Sequence, residues 1–141
     1  MQLIRFILML AVFAVSYWGG FLAYEGTLWL VWEQTLDGDL KATVFWSAVA
    51  YIIILGPLYL IVCFIIKSKV KHRLSRFLLY PVTCALTFVV PTTFILLVWG
   101  GGSLLSPEAQ LFHAFFATSG FLFGLGFGLV SLLSSKRATG A

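Results

Sequence analysis

The sequence has little charge for its length. Only 10% of its 141 residues are charged, whereas 61% are hydrophobic. A soluble domain carries about 25% charged residues, because its surface must face water. This shortage excludes a water-soluble domain and predicts a protein that resides in lipid.

Groups that perform acid–base, nucleophilic or metal chemistry are equally scarce. The stretches 42–66 and 77–99 contain no acid, no base and no histidine, and no Gly-x-Ser-x-Gly or His-Glu-x-x-His motif occurs. Cys63 and Cys84 lack the spacing of metal ligands and are expected to be small apolar fillers. We therefore expect no enzymatic activity, no cofactor and no bound metal.

Four apolar stretches dominate the chain. Each is long enough to cross a hydrocarbon core of about 30 Å as a helix. They cover residues 3–23, 42–66, 77–99 and 107–133. The last is expected to begin at Pro107, with Ser106 as its N-cap and Glu108 in its first turn. The predicted fold is an all-α bundle of four transmembrane helices, in a single integral membrane domain over residues 1–141.

The charged residues divide by sign between the ends of these stretches. Eight of the nine basic residues lie near the N-terminus, in the second loop or near the C-terminus, and all five acids lie in the first and third loops. The positive-inside rule then predicts that both termini are cytoplasmic, and we expect a bacterial inner (plasma) membrane. No aromatic residue interleaves with the basic ones, so we expect no nucleic-acid binding despite the net charge of +4.

The second loop concentrates much of the basic charge. Five of the ten residues from 67 to 76 are lysine or arginine: Lys67, Lys69, Lys71, Arg73 and Arg76. A topology signal accounts for them, and contact with anionic lipid headgroups is the more specific alternative.

The first outer loop carries a helical repeat. Leu28, Trp32, Leu36 and Leu40 recur every four residues, with acids on the flank. This pattern predicts a short amphipathic helix lying at the membrane interface, separate from the first span. Asp39 is expected to cap the helix that follows.

A stripe of small residues runs down one face of the last span. Four glycines fall within nine residues, and small residues in lipid let two helices approach closely. The stripe consists of Ala117, Gly120, Gly124, Gly128 and Ser131. This glycine-zipper pattern predicts a packing seam, either within the chain or against another membrane protein. A small patch on the first span, around Gly19 and Gly20, is the expected internal partner.

A second candidate site lies at the outer end of the last span. His113 lies at the outer end of the stripe. The first outer loop is expected to lie nearby, and its aromatic and acidic residues are Trp29, Trp32, Glu33 and Asp37. An interfacial histidine bonded to water or to a loop carboxylate is one interpretation. A site for a metal, a proton or a partner is the other, although a zinc site needs three or four ligands.

These observations favour a non-enzymatic protein that acts by protein–protein interaction in the membrane. It would be an accessory subunit of a membrane complex, or an inhibitor or immunity-type protein for a membrane target. The alternative is a small-solute or ion transporter or channel formed by a homo-oligomer, which the expected kink at Gly56-Pro57 and the central Pro91 favour. A third hypothesis is an outer-face enzyme or metal-binding protein that uses His113.

Overall fold

The chain is helical throughout the part described by the computed structural model, which covers residues 2–36, 38–99 and 106–138. No strand occurs among these residues. The elements are α1 (Gln2–Trp32), α2 (Leu40–Ala50), a π-helical turn (Tyr51–Leu55), α3 (Gly56–Lys69), α4 (Arg73–Trp99) and α5 (Pro107–Ala138).

Four helical segments are long and apolar enough to cross a membrane, which confirms the predicted helical class and number of spans. The second segment, Leu40–Lys69, combines α2, the π turn and α3, and is called span two below. The start of α5 at Pro107 is also confirmed, because the Ala109 N–H donates a hydrogen bond of 3.3 Å to Ser106 Oγ.

The first outer loop differs from its prediction. No separate interfacial helix is present among the described residues, because α1 continues without a break to Trp32. Residues 24–32 contain no proline, and the single Gly26 costs too little to end a helix. The helix ends at Glu33, whose φ of 52° lies in the left-handed region. The repeat from Leu28 to Leu40 is therefore split between α1, an irregular segment and α2.

The glycine stripe of α5 faces α4. A Cβ atom added at Gly120 would lie 2.8 Å from Ala85 Cα, and one added at Gly124 would overlap the backbone of Tyr80 and Pro81. Only glycine permits two helix backbones to come this close. The contact brings α4 and α5 together along much of their length.

A neighbouring face of α5 holds α1. A Cβ atom at Gly20 would lie 2.8 Å from Ser119 Cβ, and one at Gly126 would lie 2.6 Å from Val12 Cγ2. The small patch of α1 thus contacts α5, but not through the stripe, so the expected pairing is corrected. Small residues occur on two faces of α5, and the sequence pattern alone does not assign a partner to each.

Span two crosses the layer formed by α1, α5 and α4. The Tyr51 hydroxyl hydrogen-bonds Ser16 on α1, and the Tyr59 hydroxyl lies 3.1 Å from Ser119 Oγ on α5. Further along, Cys63 Sγ lies 3.5 Å from Cys84 Sγ on α4. One helix therefore touches the other three in turn, and its path is oblique to them.

The π turn lies where span two changes its surroundings. Pro57 has no N–H for the carbonyl of Ile53, and the preceding Gly56 N–H bonds the carbonyl of Tyr51, five residues back. The predicted irregularity at Gly56-Pro57 thus takes the form of a wider helical turn. After it, α3 is buried at Tyr59, Cys63 and Ile66, whereas before it no residue of α2 is buried.

Two glycine-to-alanine substitutions test the contact between α4 and α5. Gly124→Ala should lower the free energy of unfolding by about 1–3 kcal/mol, because the new methyl group overlaps the α4 backbone. Gly26→Ala is the control, since nothing lies within 4 Å of its added Cβ, and it should raise that free energy by about 0.5–1 kcal/mol. Unfolding by SDS in mixed micelles, followed by circular dichroism, measures both. Equal effects would contradict the described packing.

Candidate functional site

An open apolar groove lies between one face of α2 and the helices α1 and α5. It has a volume of about 590 Å³, within the range of about 300–1,000 Å³ typical of ligand pockets. One wall is formed by α2 and Leu55, and the other is formed by α1 and α5. The lining residues are Phe21, Tyr24, Asp39, Ala42, Thr43, Trp46, Ser47, Ala50, Leu55, Phe112, Phe115 and Phe116. We call it the lateral groove.

The lateral groove is long in the direction of α2. Its lining residues on that side run from Asp39 to Ala50, about 16 Å or three helical turns. Thr43, Ser47 and Ala50 in this wall are small and Trp46 is large, whereas the opposite wall carries aromatic rings such as Phe21 and Phe115. The groove therefore has three small side chains and one tryptophan on the α2 side and apolar rings on the other.

Two polar features mark the lateral groove. The Tyr17 hydroxyl donates to the carbonyl of Val44 at 3.0 Å and lies 2.9 Å from Ser47 Oγ, which ties α2 to α1. Asp39 occupies the N-cap position of α2, but its carboxylate makes no capping hydrogen bond. This carboxylate instead contributes a negative charge to the groove wall.

No protein-family model, curated protein or solved structure matches this chain. Its function must therefore be argued from the geometry of its own residues. Within the described part of the chain, no three histidine, cysteine or acidic side chains cluster as a metal site would require.

Of the residues predicted for the outer-face site, His113 forms a hydrogen bond with α4. His113 Nε2 lies 2.9 Å from Thr93 Oγ1, so the histidine pairs with α4. Trp29, Trp32 and Glu33 are exposed at the end of α1. Asp37 lies outside the described residues.

The other two predicted sets are divided by the structure. Of the packing seam, Gly120, Gly124 and Gly128 face α4 of the same chain. Of the predicted lipid-contact residues, Lys67, Arg73 and Arg76 line a cavity that Arg5 also lines, whereas Lys69 and Lys71 do not.

Sequence reasoning missed the face by which span two packs. Tyr51, Leu55, Tyr59 and Cys63 recur every four residues and are all buried. This repeat is a signal that predicts one buried helix face. It is obscured because the whole segment is apolar, so lipid-facing and buried positions have the same composition.

Removing the Tyr17 hydroxyl tests how α2 is held. Tyr17→Phe should speed hydrogen exchange of the α2 amides about fivefold, because hydrogen bonds worth about 1 kcal/mol are lost. Tyr24→Phe is the matched control, since Tyr24 lines the same groove and its hydroxyl makes no hydrogen bond in the described part of the chain. Exchange measured by mass spectrometry in detergent micelles compares the two. Equal exchange in the two variants would show that the tether is not needed.

Proposed function

We propose that this is a non-enzymatic membrane protein that acts by protein–protein interaction, and that the lateral groove receives one apolar helix of a partner membrane protein. The observation that supports this proposal most strongly is the open lateral groove. The helix α2 forms one wall of this space of about 590 Å³, and none of its residues is buried. A second helix laid in this space would cover the exposed wall of α2 and the aromatic rings opposite.

The shape of the lateral groove favours a helix over a compact ligand. A helix in a groove presents side chains at i, i+3, i+4 and i+7, which requires an apolar trough several turns long. The groove extends about 16 Å along α2. Small residues such as Thr43 and Ala50 let a second backbone approach within the membrane, where close packing supplies much of the association energy.

Charge gives the partner a further property. Among the described residues that line the lateral groove, Asp39 is the one acidic side chain, and it lies at the start of α2. A partner helix flanked by lysine or arginine at that end would pair with it. This charge pattern supports a partner of opposite charge at the interface rather than a second copy of the same groove.

The cellular setting belongs to the same proposal. The distribution of basic residues supports an inner-membrane protein with both termini in the cytoplasm. The lateral groove would then open toward the outer half of the bilayer. An accessory subunit of a membrane complex, or an inhibitor of a membrane target such as an immunity protein, uses a surface of this kind.

Site-specific photocrosslinking in intact cells tests this function. A photoreactive amino acid replaces Thr43, which lines the lateral groove, or Phe45, which is exposed on α2 but lies outside the groove. The first position should give a discrete protein adduct that the second does not. Ala50→Phe fills the groove and should remove that adduct, whereas Ala14→Phe, on an exposed part of α1, should leave it.

Three results bear against the proposal. The same protein adducts from both positions would indicate random contact in the membrane. Adducts with lipid alone at Thr43 would replace the protein partner by a lipid. An adduct that persists in the Ala50→Phe variant would show that the partner does not enter the groove.

Transport by a homo-oligomer is the second candidate, because of the π turn before Pro57. This irregular turn lies where the loosely held α2 meets the packed α3, and interrupted helices of this kind occur in transporters. Proteoliposomes should then show flux of protons, potassium or a fluorescent organic cation that Ala50→Phe blocks. Absence of flux for all three probes would count against transport.

A further inference from the structure

A second cavity lies at the end of the bundle where α1 begins. It has a volume of about 200 Å³ and gathers residues from α1, α3, α4 and α5. Its polar lining consists of Arg5, Lys67, Arg73, Arg76, Tyr80 and Ser131. We call it the basic cavity, and it is separate from the lateral groove, with which it shares no residue.

The described residues that line the basic cavity include four positively charged side chains and no acidic one. The acids on the same helices are remote. Glu25 is about 30 Å from Arg5 along α1, and Glu108 is about 34 Å from Ser131 along α5. Lys67, Arg73 and Arg76 lie together with no acid among the described lining residues, and they create a positive potential that an anion would offset.

Tyr80 gives the cavity a buried hydroxyl that lacks a well-formed hydrogen bond. Its side chain is 2% exposed, and its hydroxyl faces Arg76 and Ser131 but forms no hydrogen bond of normal geometry in the described part of the chain. A buried hydroxyl normally finds a partner, because leaving it unpaired is unfavourable. An anion bound between Tyr80, Arg76 and Ser131 would give this hydroxyl a well-formed hydrogen bond.

Arg76 also has a buried polar atom that lacks a hydrogen bond, and another of its atoms is held by the backbone. Its Nη2 atom donates a hydrogen bond of 2.8 Å to the carbonyl of Lys71, while its buried Nε–H has no acceptor in the described residues. A guanidinium that is fixed on one side and unpaired on another is preorganised for an oxyanion, which accepts two parallel N–H bonds.

Gly128 helps to shape the wall. A Cβ atom there would lie 2.9 Å from Phe77 Cδ2 and 3.4 Å from Tyr80 Cδ2, so glycine lets both rings lie against α5. The N-terminus of α4, which begins at Arg73, adds positive partial charge on the same side.

We propose that the basic cavity binds a phosphate group, with Arg76 and Tyr80 as hydrogen-bond donors and Arg5, Lys67 and Arg73 as charge partners. A volume of 200 Å³ corresponds to about seven water molecules in the liquid. This space accepts a tetrahedral oxyanion together with part of the group that carries it. The phosphate comes from one of two sources, an anionic phospholipid headgroup or a soluble phosphate compound.

The test uses the full chain in dodecyl maltoside, a detergent without phosphate. Isothermal calorimetry measures binding of short-chain phosphatidylglycerol in one arm and of inorganic phosphate in the other, with sodium chloride at equal ionic strength as the reference. Binding of phosphatidylglycerol alone identifies the lipid headgroup as the source. Binding of inorganic phosphate identifies a soluble compound.

Three variants separate a built site from general surface charge. Tyr80→Phe keeps the net charge and should weaken binding about tenfold, because one hydrogen bond to a charged ligand is lost. Arg76→Gln should weaken binding by more than tenfold. Lys69→Gln, which removes a positive charge outside the cavity, should change the affinity less than twofold.

The thermal unfolding midpoint of Tyr80→Phe provides the control for folding. Without ligand it should equal or exceed that of the unsubstituted protein, because the substitution removes a buried hydroxyl that lacks a well-formed hydrogen bond. The ligand-induced rise in this midpoint should shrink. The proposal is overturned if neither probe binds, or if Lys69→Gln and Arg76→Gln weaken binding equally while Tyr80→Phe has no effect.

Discussion

The backbone contact between α4 and α5 at Gly120 and Gly124 is the constraint on which the rest of the bundle depends. Because the glycine stripe contacts α4 of the same chain, α1 packs on a neighbouring face of α5. Span two then packs across the layer that α1, α5 and α4 form. The contact between α4 and α5 also brings Tyr80 beside Gly128 and so forms the basic cavity. Since the stripe is covered by α4, a partner protein must bind to another surface of the bundle.

The bundle divides into a packed part and an open part. Hydroxyl pairs such as Tyr59 with Ser119 fix the part of span two that follows the π turn, where the core lies. Before that turn, α2 has no buried residue, and it is held by the Tyr17 hydrogen bonds and by contacts of Val44 and Ala48 with the core. The proposed partner site thus lies on the least constrained helix, as expected for a surface that adapts to another protein.

Four spans could be predicted because length and hydropathy report membrane crossing directly. The end of α1 could not, since residues 24–32 carry no strong helix breaker and the repeat through Leu40 suggests one continuous face. The sequence predicts close helix packing at the glycine stripe but not which helix it meets. Cys63 and Cys84 meet, although nothing in the sequence relates them. Both cavities depend on which helices pack together, which the sequence does not show. It predicted a role for the basic residues Lys67, Arg73 and Arg76 but not the cavity that they line.

Distances between spin labels in lipid nanodiscs test the division into packed and open parts most directly. The native cysteines are buried, so cysteines introduced at exposed positions can be labelled selectively. A label pair at Val82 and Leu129 reports on α4 and α5, and a pair at Phe45 and Phe121 reports on α2 and α5, all four residues being exposed. The account predicts a narrow distance distribution for the first pair and a broad one for the second. Equally narrow distributions, or a broad distribution between α4 and α5, would contradict it.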